Sequence, residues 1–549
     1  MKKLRISTIM CVILSVFAIW VMYMLMLPAI NLRAASFYWF VAFVSIIITA
    51  IFRIREFFGD QEFSRLTKVM GGTTAVILVI CIILAIVNSP LITAKTLQQI
   101  PEVKEGNFEE DYIEISNDPA EAFTLDLDSA MRLGNRAIGN IENASWYEVS
   151  NEFNLIKYQG IKYRVSPLEY GGLFKYFKAN NEGIPGYVLV NDDTMEPEFV
   201  PTTNPIKYSP SAFFGHNLQR HLRMQYPGYT FTKSMYEVDE DGAGFWITGA
   251  TEPHASLYAG RVVEKIILTD PFTGESTEYN VKDIPEWIDH AYNRDYLMTL
   301  AKWHYEYING FLNSVFSKTG VYRTSYSYSY LRDDKDDDTA NFYGYNTFVN
   351  KNGKTVLVTG ITPANKSESN TGFLTLNTST SELIYYKAQG AEESSAQEAC
   401  ESKMQNYGYK ATYPVFVNVS GQATYMMALK DKAGIIQAYG FVNLKNYSIA
   451  NVDKDIEIAL SGYKQAMGME VEEADTQSDS YNVMTGAIEQ IYSQIISGTT
   501  YYYYVIESDI YRASATVNEL QFLFEVGDEV EVKYQEESDY RIVVTIEKK

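Results

Sequence analysis

Three cysteines, five histidines and six tryptophans in 549 residues leave little material for covalent or metal chemistry. Cys11 and Cys81 lie in long apolar runs, and only Cys400 falls in the large polar remainder. One cysteine there cannot close an internal disulfide, and no zinc spacing occurs. A polar region outside the cell would have to be stable without disulfides. That suits a Gram-positive bacterial envelope better than a eukaryotic secretory route. His216 and His221 are five apart, which on a helix separates them by about 140°, whereas a helical metal pair needs three or four. His254 is the fifth histidine with these, and His290 and His304 are expected on a connector helix as satisfied structural residues. Cys400 sits at an apolar position of a predicted helix and reads as packing. No nucleophile elbow, P-loop or H-E-x-x-H occurs. Basic residues are also short: 46 Lys and Arg face 68 Asp and Glu, a formal net charge of -22. An acidic surface repels phosphate, so no nucleic-acid partner is expected. No catalytic, cofactor-binding or metal-ligating residue is assigned, and no cofactor is implied. The run "RDDKDDDTAN" holds Asp333, Asp334, Asp336, Asp337 and Asp338. Clustered carboxylates attract calcium, but the Gly and Glu of an EF-hand are missing, so a solvated acidic loop is expected.

What the chain does have is apolar runs at its start. They cover roughly residues 6–30, 37–52 and 71–87. A bilayer core takes about 20 apolar residues as a helix, and about 17 suffice at the short end. A cleaved signal peptide is the competing reading of the first run. It is too long, and Arg33 stands where a cleavage site near Ala35 needs a small residue. Lys2, Lys3 and Arg5 precede the first run, and Arg53, Arg55, Arg65 and Lys68 separate the second from the third. Basic loops stay in the cytoplasm. The N-terminus is therefore expected inside, and everything after about residue 90 outside. The spans lack the buried ionisable groups of a transporter, so they read as an anchor, one that could bring copies together.

The polar part writes one phrase twice. "GYVLVNDDTMEP" begins at Gly186 and "GFLTLNTSTSEL" at Gly372. Each reads as strand, polar turn, strand. "MQYPGYTF" from Met224 is matched by "MQNYGYKA" from Met404 at nearly the same offset, and "GFWITGA" from Gly244 weakly by "TYMMALK" from Thr424. Matches in one order at one offset indicate internal duplication. Two α+β units follow, 150–283 and 341–455, each ordered hairpin, helix, strands. The helices are "SAFFGHNLQRHLRMQ" and "SSAQEACESKMQN". Ser394 or Ser395 with Glu398 suggests a capping box, and Gly228 and Gly408 are expected left-handed just past the helix ends. This order, with "IILTDPFTGE" from Ile266, resembles PepSY-type modules of the bacterial envelope. The resemblance implies small α+β units without catalytic residues, tied to peptidase regulation or protein interaction.

Between the units, Pro285 and Glu286 suit a helix start, and Trp287, Ala291, Tyr296, Leu300, Trp303, Tyr307, Phe311 and Val315 recur near helical spacing. Their wide aromatic face is expected to pack between the units. "MEVEEADTQSDSY" is a linker. The segment after it, with "YYYYV" and "VGDEVEVKY", resembles a small OB-type or SH3-like β-barrel. Its acidity argues against the basic groove that nucleic-acid binding requires.

The expected fold class is thus a membrane-anchored α+β protein with three N-terminal transmembrane helices, two repeated α+β units and a C-terminal small β-barrel. Its parts are an anchor over 1–90, an acidic juxtamembrane segment over 91–149 and the first unit over 150–283. A helical connector with the acidic loop covers 284–340, the second unit 341–455, a linker 456–481 and the barrel 482–549. The expected partners are the lipid bilayer, other envelope proteins and a second copy of the chain. The expected function is an extracytoplasmic scaffold on the cytoplasmic membrane that binds or regulates envelope proteins. The rival is a peptide or glycan hydrolase with a cleft between the units, since a carboxylate pair needs no local spacing.

Overall fold

The computed structural model describes residues 8–58, 64–112, 115, 119, 123–327, 342–364, 369–469, 482–496, 499–515, 517–518, 520–536 and 540–549. The three apolar runs are helices α1 (Thr8–Met26), α2 (Ala35–Phe58) and α3 (Arg65–Val87), each long and apolar enough to cross a membrane. At about 1.5 Å per residue the 19 residues of α1 reach across a hydrocarbon core. The second helix is longer than its apolar run because it continues through Arg53 and Arg55. Thr74 of α3 bonds the hydroxyls of Ser45 (2.6 Å) and Thr49 (2.9 Å) on α2. These are the short polar ties expected where apolar packing alone gives little preference between helix and lipid. Ser64 caps α3 by accepting from Thr67 N. After Asn88 the chain restarts with Pro90 in the first turn of α4 (Pro90–Gln99), a position where the missing N–H costs nothing. A single turn, α5 (Phe108–Asp111), follows.

The region beyond is mostly β, in several sheets. Four of them share one connectivity. The first holds strands 147–149, 154–158, 161–170, 184–191 and 197–206, and the second 230–231, 235–238, 244–253, 261–269 and 276–280. The third holds 322–324, 346–349, 355–363, 369–377 and 383–391, and the fourth 410–411, 415–419, 422–430, 436–443 and 450–453. In each, a very short strand and a hairpin strand lie end to end along the same edge of the first long strand. Tyr147 faces Tyr170 and Asn154 faces Val165 in the first sheet, and Lys410 faces Lys430 and Val415 faces Met426 in the fourth. The third gains Val103–Glu105 as a parallel edge. A helix precedes each sheet: α6 (Leu127–Ala137), then, after the short α7 (Leu173–Ala179) within the first sheet, α8 (Leu218–Gln225), α9 (Arg294–Glu306) and α10 (Glu393–Lys403). The stretch 150–283, read from sequence as one unit, therefore spans two sheets. Its hairpin closes the first, and its helix and later strands form the second.

Side chains sort by face. Val188, Trp246 and Ile267 pack with Leu218 and Leu222 of α8 between the first and second sheets. The opposite face of the second sheet (Ile247, Val263, Ile266) meets Leu297, Leu300 and Ala301 of α9 and then Leu357, Leu374 and Leu376 of the third. The expected aromatic connector thus does pack between sheets, with Trp287, Tyr296 and Trp303 at its rim. Val358 and Phe373 of the third sheet meet Ala396 and Cys400 of α10 and Phe416 and Tyr425 of the fourth. The last face (Val417, Met426, Phe441) is covered by α11 (Ile456–Ala466) through Ala459, Leu460 and Tyr463. Met195 of the first sheet's turn and Ile436 of the fourth sheet pack against the first and last cores alike, so the row of sheets closes on itself. Lys430, buried on the fourth sheet, pairs there with Asp126 (2.6 Å) and Asp128 (3.1 Å) at the start of α6.

The C-terminal segment is a separate six-stranded sheet in the order 482–487, 529–536, 541–548, 509–514, 499–506, 490–496. Among the described pairs of this sheet only 509–514 with 541–548 is parallel. Tyr504, Ile506 and Val532 lie in its core, while Tyr501 faces outward onto α11 and donates to Glu457 Oε1 (2.9 Å).

Several local expectations differ in detail. The helix expected from Ser211 begins at Leu218, capped by Asn217, with only a 3-10 turn before it. Ser394 and Ser395 do not cap α10. Glu392 holds that position without a side-chain bond, so the capping box with Glu398 is not formed. Gly408 has φ +64°, as expected, but Gly228 is not left-handed. The connector helix begins at Arg294, capped by Asn293, rather than near Pro285. The coil before it carries polar groups into the centre of the stack.

Candidate functional site

That coil creates a buried titratable cluster. Glu237, on the strand 235–238, is fully buried, and Asp289 and His290 are nearly so. Glu237 Oε2 accepts from Asp289 N (2.9 Å), and its Oε1 pairs with His290 Nδ1 (2.8 Å). Asp289 Oδ2 accepts from Lys157 N (2.8 Å) in the first sheet, and its carbonyl accepts from Thr378 Oγ1 (2.6 Å) in the third. One aspartate thus ties three sheets together. Burial first, and the neighbouring Glu237 second, push its carboxyl up to about 6, against the Lys157 N–H and His290. Two carboxylates and an imidazole could move protons, but these are buried and hydrogen-bond to each other and to backbone, with Lys354 near Asp289. The cluster is a fastening.

Three of the other histidines also have partners. His216 and His221 both pack on Tyr208, at 5.4 and 4.3 Å between ring centroids. His221 Nε2 donates to Gly274 O (2.6 Å), and His254 pairs with Glu264 (2.8 Å) at the surface. His304 lies on α9, where burial lowers its pKa. Cys400 is buried, and burial pushes its thiol well up. A Cβ built on Gly440 would come within 2.4 Å of its sulfur, so the glycine is there to admit the cysteine. Among the described residues no group of three or more His, Cys, Asp or Glu could hold a metal ion. Asp333–Asp338 lie outside the described residues.

What sequence reasoning missed is the seat of the second sheet on the helix bundle. Arg223, on α8, donates through Nε to Leu27 O (2.9 Å) at the end of α1 and through Nη1 to the carbonyls of Tyr226, Pro227 and Tyr229. Arg220 reaches Met24 O (3.2 Å). The last carbonyls of a helix lack partners within it, and cations there also oppose its negative end. Ile30 N donates to Pro227 O (2.7 Å), and Asn31 Nδ2 to Gly228 O (3.0 Å). Arg33 pairs with Glu252 (3.2 Å). A second point of attachment lies at the α3–α4 junction, where Asn88 Oδ1 accepts from Ser256 Oγ (2.6 Å) and Tyr258 N (2.9 Å). Then α4 leans on α9, with Leu97 against Tyr307. The basic side chains of "NLQRHLRMQ" were the available signal, but their partners are almost two hundred residues away.

Among the described residues, three of the surface grooves are open to ligands. Two adjoin at the bundle end and share Phe214 and Arg220. One of about 350 Å³ is bounded by Tyr170, Pro210 and Asn217, the other of about 310 Å³ by Met24, His221 and Met224. The third, about 390 Å³, lies on the outer face of the C-terminal sheet between Tyr492, Gln494, Tyr503, Val505 and Ile510. None of the three is lined by a carboxylate.

No protein-family model matches the chain, and no curated protein does. Among solved structures a mutant of B. megaterium levansucrase aligns over 78% of this chain and 96% of its own, at 8% identity and a TM-score of 0.15. A likeness that slight carries no argument about fold or activity.

Proposed function

We propose that this chain is a membrane-anchored extracytoplasmic scaffold that binds other proteins of a bacterial envelope. The observation that carries the reading is the seat: buried arginine and backbone bonds fasten the large region to the bundle, which holds its outer surfaces at a set height and direction. The α1–α2 turn and the end of α3 touch the large region. Arg53, Arg55, Arg65 and Lys68 flank the α2–α3 connection at the other end of these helices. Basic connections stay in the cytoplasm, so the large region is extracytoplasmic. The shared connectivity of the four sheets, each with its preceding helix, supports reading them as four repeats of a PepSY-like module. The C-terminal strand order, with its one parallel pair and with consecutive strands 482–487 and 490–496 at its two ends, supports an OB-like barrel whose first strand is bent.

The Tyr492–Tyr503 groove is the surface this reading assigns to an envelope partner. Aromatic side chains give large contact area at low entropy cost. A photo-crosslinking residue at Tyr503 in intact cells, with mass spectrometry of the adducts, is the test. A reproducible envelope adduct is expected. Absence of any adduct other than lipid removes the scaffold reading, and adducts of the chain with itself replace it with self-assembly. An impermeant thiol reagent that labels Tyr407→Cys in intact cells checks the orientation.

A further inference from the structure

The first sheet carries an aromatic projection that neither the scaffold role nor the seat uses. Helix α7 has the sequence "LFKYFKA". Tyr176 and Ala179 point inward, and Tyr176 OH donates to Phe213 O (3.0 Å). Phe174, 84% exposed, and Phe177 point outward, with exposed Lys178 between Phe177 and the helix end. Phe177 packs on Phe214, with ring centroids 5.7 Å apart, and Phe214 is itself more than half exposed. Three large rings on one patch are costly in water.

The position of the patch names its occupant. Phe214 lines a groove together with Met24, in the last turn of α1, and the groove's Arg220 bonds the Met24 carbonyl. Leu25, beside it, is exposed as a lipid-facing residue of a spanning helix is. The patch is therefore continuous with the end of the membrane-spanning segment. We propose that Phe174, Phe177 and Phe214 insert into the headgroup–acyl boundary of the leaflet in which α1 ends, with Lys178 reaching the lipid phosphates. Aromatic rings beside lysine suit that layer, where an apolar body and a charged tip are both satisfied. Lys175 is held by Glu148 at 3.1 Å and helps to set α7 instead. The first sheet, which makes none of the seat's named bonds, thereby gains its own hold on the bilayer. This inference rests on the spanning helices alone and holds for either orientation of the large region.

The test uses the full chain in vesicles of phosphatidylethanolamine and phosphatidylglycerol. The native cysteines are buried, so a nitroxide can be placed at Phe174→Cys, with Leu25→Cys as the lipid reference and Tyr492→Cys as the water reference. Relaxation by oxygen and by a water-soluble nickel complex reads depth. At Phe174→Cys nickel contact should be several-fold lower than at Tyr492→Cys and close to that at Leu25→Cys. Nickel contact equal to that at Tyr492→Cys overturns the proposal. So does dipolar broadening between labels of two chains, which would put a second copy on the patch. Phe177→Cys gives the same reading should Phe174→Cys assemble poorly.

Discussion

At the scale of single residues, burial decides the consequences. Asp289 has its folded pKa raised to about 6 from an ordinary 3.8. The folded state then holds its proton more tightly than the unfolded chain. Its stabilising contribution is complete below about pH 4 and is lost as pH rises through about 6. Asp289→Asn cannot ionise, so its melting temperature relative to the parent should climb between pH 4 and pH 7, by about 2 kcal/mol in stability. Melting curves of the detergent-solubilised chain at both ends of that range check it, and parallel curves would remove Asp289 as the cause. Gly440→Ala should destabilise by about 1–3 kcal/mol, because the new methyl meets the Cys400 sulfur. Adding Cys400→Ala should return much of the loss, and strict additivity would place the clash elsewhere.

At the scale of elements, the repeated phrase can now be read as turn chemistry. Asn191 Oδ1 accepts from Asp193 N and Thr194 N, and Asn377 Oδ1 accepts from Ser379 N and Thr380 N. Met195 (φ 60°) and Ser381 (φ 59°) then bend the chain into the returning strand. Asp270 makes the same turn in the second sheet, with Gly274 in the left-handed place. Asn443 opens a related turn in the fourth, but "NLKNYSI" has neither the Thr nor the Glu. The two turns that open on Asn and carry both Thr and Glu, those at Asn191 and Asn377, are the pair legible in the sequence, which names two units where the structure has four sheets of shared connectivity. The apolar helices were plain because lipid asks for unbroken runs. The long strand 355–363 was opaque to periodicity because it is covered on both faces and has no alternation to show. The seat was invisible because Arg223 satisfies carbonyls remote in sequence. Arg223→Met should cost about 3 kcal/mol and speed amide exchange at Ile30, which donates to Pro227 O. Arg223→Lys, a single ammonium in place of a fork, should restore only part of the protection. Unchanged exchange at Ile30 would show that the seat does not depend on this side chain.

At the scale of the whole molecule, Lys430 holds the last sheet to the first. Burial alone would raise the Asp126 carboxyl, but Lys430 and Ser129 outweigh it and hold it below its usual value. The pair's contribution is thus present above the ordinary carboxylate range and fades as pH falls through the lowered value. Lys430→Met leaves two carboxylates facing an apolar methyl. It should cost about 3 kcal/mol at neutral pH and much less near pH 3, seen in paired melting curves. A cost independent of pH would mean that Lys430 acts by packing alone. The same closure has a consequence for biogenesis. Lys430 lies 304 residues beyond Asp126, so the first sheet is synthesised long before the surface that seals it. Until then its apolar flank is open, and contacts of such sequence separation form slowly. Closure of the first sheet's flank therefore waits until the remaining three sheets have been made.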